Sequence, residues 1–148
     1  MGEQTEISME NGTYRIMVVD DEPDIAEGIA VTLSALTGLH FSPFSNAMQA
    51  LSAFKNQPYD LVLTDLTMPG IGGFDLVSQI KKIRPGTDFI IITAHKSLEV
   101  VHHSHLLGAM KIFYKPFNIE ELERAVQNCH QKFLFWKDRF QEVTSVNR

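Results

Sequence analysis

The chain has 148 residues, enough for one domain with a sizeable core, and its 44% hydrophobic and 21% charged residues are ordinary for a globular protein. A net charge of −5 excludes the basic footprint of non-specific nucleic-acid binding. The single cysteine, Cys129, excludes an internal disulfide framework and suits a reducing cytoplasm, and no apolar run approaches the roughly 20 residues of a membrane span.

Residues 1–13 (MGEQTEISMENGT) are polar and aperiodic; they do not read as a signal peptide and are expected to be a disordered leader. Arg15–Val19 is a short apolar run and the first predicted strand. Pro23–Ala35 follows as a helix, with proline in its first turn and a stop before Gly38. His40–Phe44 is a weaker strand whose Pro43 assigns it to a sheet edge, because proline cannot donate to a ladder. Asn46–Lys55 carries Ala47, Ala50, Leu51 and Phe54 at helical spacing, with Ser45 as the expected N-cap. Leu61–Thr64 is the third strand. The spacing then predicts a helix over Phe74–Ile83, with Phe74, Val77 and Ile80 or Lys81 on one face, ending ahead of Pro85-Gly86. Phe89–Ile92, a helix over Ser97–Leu107, Lys111–Tyr114 and a final helix over Ile119–Phe140 complete the set. The strands lack polar alternation, as expected when both faces are covered, so five strands alternating with five helices predict an α/β doubly wound parallel sheet. In such sheets the chemistry sits beyond the carboxyl ends of the strands.

Those ends are rich in acids. The first strand runs into Asp20-Asp21-Glu22, the third into Asp65, the fourth into Thr93-Ala94 and the fifth into Lys115-Pro116. If the first and third strands are neighbours, Asp20, Asp21 and Asp65 converge, and three carboxylates so close repel unless a cation sits among them. A hard divalent cation with oxygen ligands answers that need, and Mg²⁺ keeps waters that phosphate oxygens can replace. Thr93 and Lys115 offer a hydroxyl and an ammonium at the same rim. Taken singly, Asp20-Asp21 also fits the charge preference of a helix first turn, Thr93 a local cap, Lys115 a surface lysine, and Met68-Pro69-Gly70 with Gly72-Gly73 a plain turn.

The Asp-Asp-Glu after strand one, the TDLTMPGIGG run after strand three, the Thr-Ala after strand four and the Lys-Pro-Phe after strand five, in that order, resemble the receiver domains of response regulators in two-component signalling. The resemblance covers about Arg15 to Ala125. It implies a flavodoxin-like (βα)5 fold with strand order 2-1-3-4-5, and a phosphorylation switch rather than an enzyme. Carried over residue by residue, it makes Asp65 the phospho-acceptor, places Mg²⁺ on Asp20, Asp21, Asp65 and the backbone carbonyl of Thr67, and turns Thr93 and Lys115 towards the phosphoryl group. It also implies a cis Lys115–Pro116 peptide, and positions Thr67 and His95 to modulate phosphoryl lifetime. The implied partner is a sensor histidine kinase or phosphotransfer protein, with no direct nucleic-acid or membrane binding by this chain. One departure stands out: the strand-five position three before the lysine is usually aromatic in this family, and here it is Ile112, which puts the usual coupling of that ring to the switch threonine in doubt.

His102, His103 and His105 do not complete a metal-ligand set and read as a solvated helix face. Ile119, Leu122, Val126, Cys129, Phe133, Trp136, Phe140 and Val143 step by three and four along the last helix, a heptad register. The expected organisation is therefore a receiver over residues 14–128 and a helical extension over 129–148, which pairs with a second copy as a homodimer or leads into an output domain; a helix folded back on its own domain is the alternative. Three rival functions each require a different pattern. An aspartate-nucleophile phosphatase of the haloacid dehalogenase type needs a second acid two residues after the nucleophile, where this chain has Thr67. A flavodoxin-like flavin binder needs a Ser/Thr/Gly phosphate loop where this chain has Asp-Asp-Glu. An unphosphorylated receiver-like docking module would not need the full set of site residues.

Overall fold

In the computed structural model, which describes residues 13–68, 70 and 72–146, the short runs of Val, Ile, Leu and Phe form the strands of one parallel sheet. The strands are β1 (Arg15–Val19), β2 (His40–Phe44), β3 (Leu61–Thr64), β4 (Asp88–Thr93) and β5 (Lys111–Tyr114). The helices are α1 (Pro23–Thr37), α2 (Ala47–Asn56), α3 (Gly73–Ile83), α4 (Leu98–Leu106) and α5 (Ile119–Val146). The strand order is β2-β1-β3-β4-β5, so Pro43 lies on an edge strand as its missing N–H requires. The leader expected over residues 1–13 lies, apart from Thr13, outside the described residues.

Alternation along the strands sends successive side chains to opposite faces, and two cores result. Ile16, Val18, Leu61, Leu63, Ile90 and Ile92 pack with Ala26, Ile29, Ala30 and Leu33 of α1 and with Leu122, Ala125, Val126 and Cys129 of α5. Met17, Val19, Val62, Phe89 and Ile91 pack on the other face with Ala50, Leu51 and Phe54 of α2 and Leu76, Val77 and Ile80 of α3. Because both faces are covered, the uninterrupted apolar character of the strands is what the sheet needs.

Helix ends follow local chemistry, with two corrections to the sequence reading. The cap of α2 is Asn46, not Ser45: the Asn46 side chain accepts from the backbone N–H groups of Met48 (2.8 Å) and Gln49 (3.1 Å). The buried stripe of α3 is Gly73, Leu76, Val77 and Ile80, with Phe74 only half-buried, where its ring meets His103 of α4 at 4.4 Å. The helix begins one residue earlier than expected, at Gly73, and its stripe centres on Leu76. α1 runs two residues past Ala35 and ends at Gly38, whose φ of 73° is the left-handed conformation glycine adopts freely.

α5 is 28 residues long. Through Phe133 it packs on the first core, and beyond that point Leu134, Phe135, Trp136, Phe140 and Val143 are exposed. This face, and the acidic carboxyl ends of the strands, are the two unfinished regions of the molecule.

Candidate functional site

The parallel register brings the ends of β1, β3, β4 and β5 to one edge. Val19 lies beside Thr64, Thr64 beside Ile91, and Thr93 beside Tyr114. The residues that follow are therefore neighbours: Asp20 and Asp21 after β1, Asp65 after β3 and Lys115 after β5. The Asp65 N–H donates to the Val19 carbonyl (3.0 Å) and the Asp20 N–H to the Phe44 carbonyl (3.0 Å), so both acids are fixed as extensions of the sheet. Carboxylate oxygens of Asp20, Asp21 and Asp65 come within 4.8 Å of one another, the only such cluster of metal-type donors among the described residues. Asp20 and Asp65 are buried and Asp21 is exposed, which leaves one open side. His102, His103 and His105 are all exposed on α4 and join no such group.

Lys115 closes the cluster. Its ammonium donates to Asp20 Oδ2 at 2.6 Å and to Asp65 Oδ2 at 2.8 Å, a bridge that the sequence reading did not foresee. Burial, the largest single influence on its proton, favours the neutral amine, but the hydrogen bonds to Asp20 and Asp65 and their charges outweigh it and hold the pKa above the ordinary lysine value. Three carboxylates against one ammonium leave two uncompensated negative charges, the charge of one divalent cation. The peptide bond after Lys115 is cis, as the resemblance implied.

The rest of the rim is preset. Asp65 Oδ1 accepts from the Thr67 N–H (3.1 Å), and Asp20 Oδ1 accepts from the Glu22 N–H (3.0 Å). Thr93 is fully buried; its Oγ1 accepts from the His95 N–H (3.1 Å), and its carbonyl accepts from the Lys115 N–H (2.9 Å). The start of α3 is pressed against this loop so closely that a Cβ at Gly73 would run into the carbonyl oxygen of Asp65. Gly73 is thus a shape requirement of the site, legible in the sequence only as part of a turn. Ile112 is half-buried against the α2–α3 core, and Tyr114, two residues on, lies under the Lys96 ammonium at 5.1 Å.

This constellation, at the carboxyl edge of a doubly wound sheet, defines a class. The profile of the response regulator receiver domain matches residues 16–127, and the chain belongs to that family, whose members are phosphorylation-controlled signalling switches rather than conventional enzymes. It is 34% identical over 116 residues to sporulation initiation phosphotransferase F of Bacillus subtilis, covering 76% of this chain and 90% of that protein. It is 33% identical over 121 residues to the DNA-binding transcriptional regulator NtrC of Escherichia coli, covering 79% of this chain but 26% of that one. The chain thus spans about a quarter of some relatives and nearly the whole of another. Among solved structures, a response regulator receiver domain protein from Clostridium thermocellum superposes with a TM-score of 0.73 at 31% identity, covering 82% of this chain and 98% of that one. No helix among the described residues is long and apolar enough to cross a membrane.

Proposed function

We propose that Asp65 accepts a phosphoryl group from a phosphohistidine of a sensor kinase or phosphotransfer protein in the cytoplasm, with Mg²⁺ as the cofactor. The observation that carries this reading is the Lys115 ammonium bridging Asp20 and Asp65 inside a cluster that still lacks two positive charges. Asp20, Asp21 and Asp65, with the Thr67 carbonyl, would hold the ion; hard oxygen donors and one exposed acid fit Mg²⁺, which keeps part of its water shell. When bound, Mg²⁺ supplies charge neutralisation at the phosphoryl oxygens.

The chain's own residues do the rest. An Asp65 carboxylate oxygen attacks phosphorus, the P–N bond to the donor histidine breaks, and the imidazole leaves with the electron pair. Lys115, now paired with Asp65, turns its ammonium to a phosphoryl oxygen, which also neutralises the charge gained at that position. The Thr93 hydroxyl already accepts from His95, and its proton remains available to donate to another phosphoryl oxygen. Water later attacks the acyl phosphate and returns the carboxylate, with His95 and Thr67 at the rim where they can orient or hinder that water. Since Ile112 offers no ring to swing with Thr93, the switch works through repacking of the half-buried β5 residues against α4.

Incubating the protein with Mg²⁺ and a small phosphoryl donor such as phosphoramidate tests the reading. One phosphoryl group per chain, stable in acid and lost in base, absent without Mg²⁺ and absent in Asp65→Asn, is expected. An unmodified wild type that still folds would replace this reading with the unphosphorylated docking module.

A further inference from the structure

At the opposite end of the sheet, where the strands begin, α5 runs past the domain and leaves a groove of about 280 Å³. Its walls include Tyr14, Phe133, Trp136 and Phe140 with two balanced pairs, Asp60–Arg84 and Asp88–Lys132, so its own charges cancel. Two features set it apart from a casual crevice. First, the Tyr14 hydroxyl and Arg84 Nε are buried with no hydrogen-bond partner, although the two residues are only 4% and 6% exposed. Buried donors are normally satisfied, so this unpaired pair marks the groove as an unfinished part of the core. Burial holds the Tyr14 phenol far above the ordinary tyrosine range, which keeps it a donor. Second, Trp136 and Phe140 continue the stripe that buries Leu122, Val126 and Cys129 higher on the helix, yet here they are 51% and 43% exposed.

The charges beside the stripe identify the occupant. With 3.6 residues per turn, Lys132 and Arg139 border it on one side and Lys137 on the other, while Asp138 and Glu142 fall on the far face. Lys132 is shared with Asp88 (2.8 Å) and Arg139 with Glu142 (3.0 Å); among the described residues Lys137 has no acidic partner. A second copy of this helix would bring cations against cations, whereas acid-flanked apolar residues complement the whole strip. We propose that this groove and the adjoining stripe are a docking site for an acidic amphipathic polypeptide segment of a partner protein. Apolar side chains of the segment cover Trp136 and Phe140, and its acids meet Lys137 and Arg139, the helix-in-groove mode of recognition.

Trp136 is the sole tryptophan and stands in the wall, so its emission reads the site directly. Two synthetic amphipathic helical peptides with the same leucine stripe, one flanked by Glu and one by Lys, serve as probes. The Glu-flanked peptide should shift Trp136 emission to shorter wavelength and saturate, binding roughly tenfold more tightly than its Lys-flanked twin and weakening with salt. Lys137→Glu with Arg139→Glu should invert that preference; circular dichroism checks that the variant folds. Equal affinity for the two peptides, binding of neither, self-association that excludes the peptide in sedimentation equilibrium, or preferential binding to anionic phosphatidylserine vesicles would each overturn the proposal. The third outcome would assign the groove to a second copy, and the fourth to a membrane surface.

Discussion

Both ends of the sheet bury a carboxylate beside a cation, and the contrast between them separates chemistry from architecture. At the base, Asp60 and Arg84 form a pair with both side chains 7% exposed, one negative charge against one positive. Asp60 also accepts from the Arg15 N–H (2.8 Å), and Arg84 also donates to the Tyr59 carbonyl (2.8 Å). At the carboxyl end a single Lys115 faces three acids, so the charge stays unbalanced. The balanced pair locks β1, β3 and the end of α3 together. The unbalanced one could hold a metal ion.

That difference has measurable consequences. Asp60→Ala leaves the buried Arg84 guanidinium uncompensated and should cost about 3–5 kcal/mol in denaturant unfolding. Asp65→Asn removes one of three mutually repelling acids while Lys115 keeps Asp20, and should change stability by less than about 1 kcal/mol. If the two cost the same, the distinction fails. Millimolar Mg²⁺ should raise the stability of the wild type, by about 2.7 kcal/mol at a hundred times its Kd, and should do little for Asp21→Asn; thermal melts with and without the ion decide this. Gly73→Ala forces a methyl against the Asp65 carbonyl and should cost about 1–3 kcal/mol while slowing phosphorylation, whereas the same change at Gly28, which has open space, should do neither.

The smallest effect lies at the base. His130 packs against Tyr14 with the two rings tilted and their centres 4.7 Å apart; burial chiefly holds its pKa below the ordinary 6.5, with Asp60 opposing and Lys137 assisting. Above that value the imidazole is neutral in folded and unfolded chains alike and costs nothing. As pH falls through it the unfolded chain takes the proton first, so stability declines until the folded histidine is also protonated. His130→Gln should flatten that part of the pH profile.

The sequence announced some of this better than the rest. The strands were legible because each is an apolar run too short for a buried helix, and four of them begin and end at the residues expected. That Asp20, Asp21, Asp65, Thr93 and Lys115 share one edge of the sheet was legible because each follows or closes a strand in a fixed order. What Lys115 touches was not, since its two partners lie 95 and 50 residues away and only the register of β1, β3 and β5 joins them. Nor was the pairing of Asp60 with Arg84, 24 residues apart, which depends on where α3 ends. Asn46 and Ser45 are adjacent and equally good caps by type, so backbone geometry chose between them. The groove escaped altogether, because the heptad spacing of α5 says that a face is apolar and not where the sheet stops beneath it.

Phosphorylation of the wild type and Asp65→Asn, followed by intact mass with and without Mg²⁺, bears most directly on the account. One phosphoryl group on the wild type only, and only with Mg²⁺, is the result it predicts. Modification that persists in Asp65→Asn, or proceeds without a divalent ion, would contradict it.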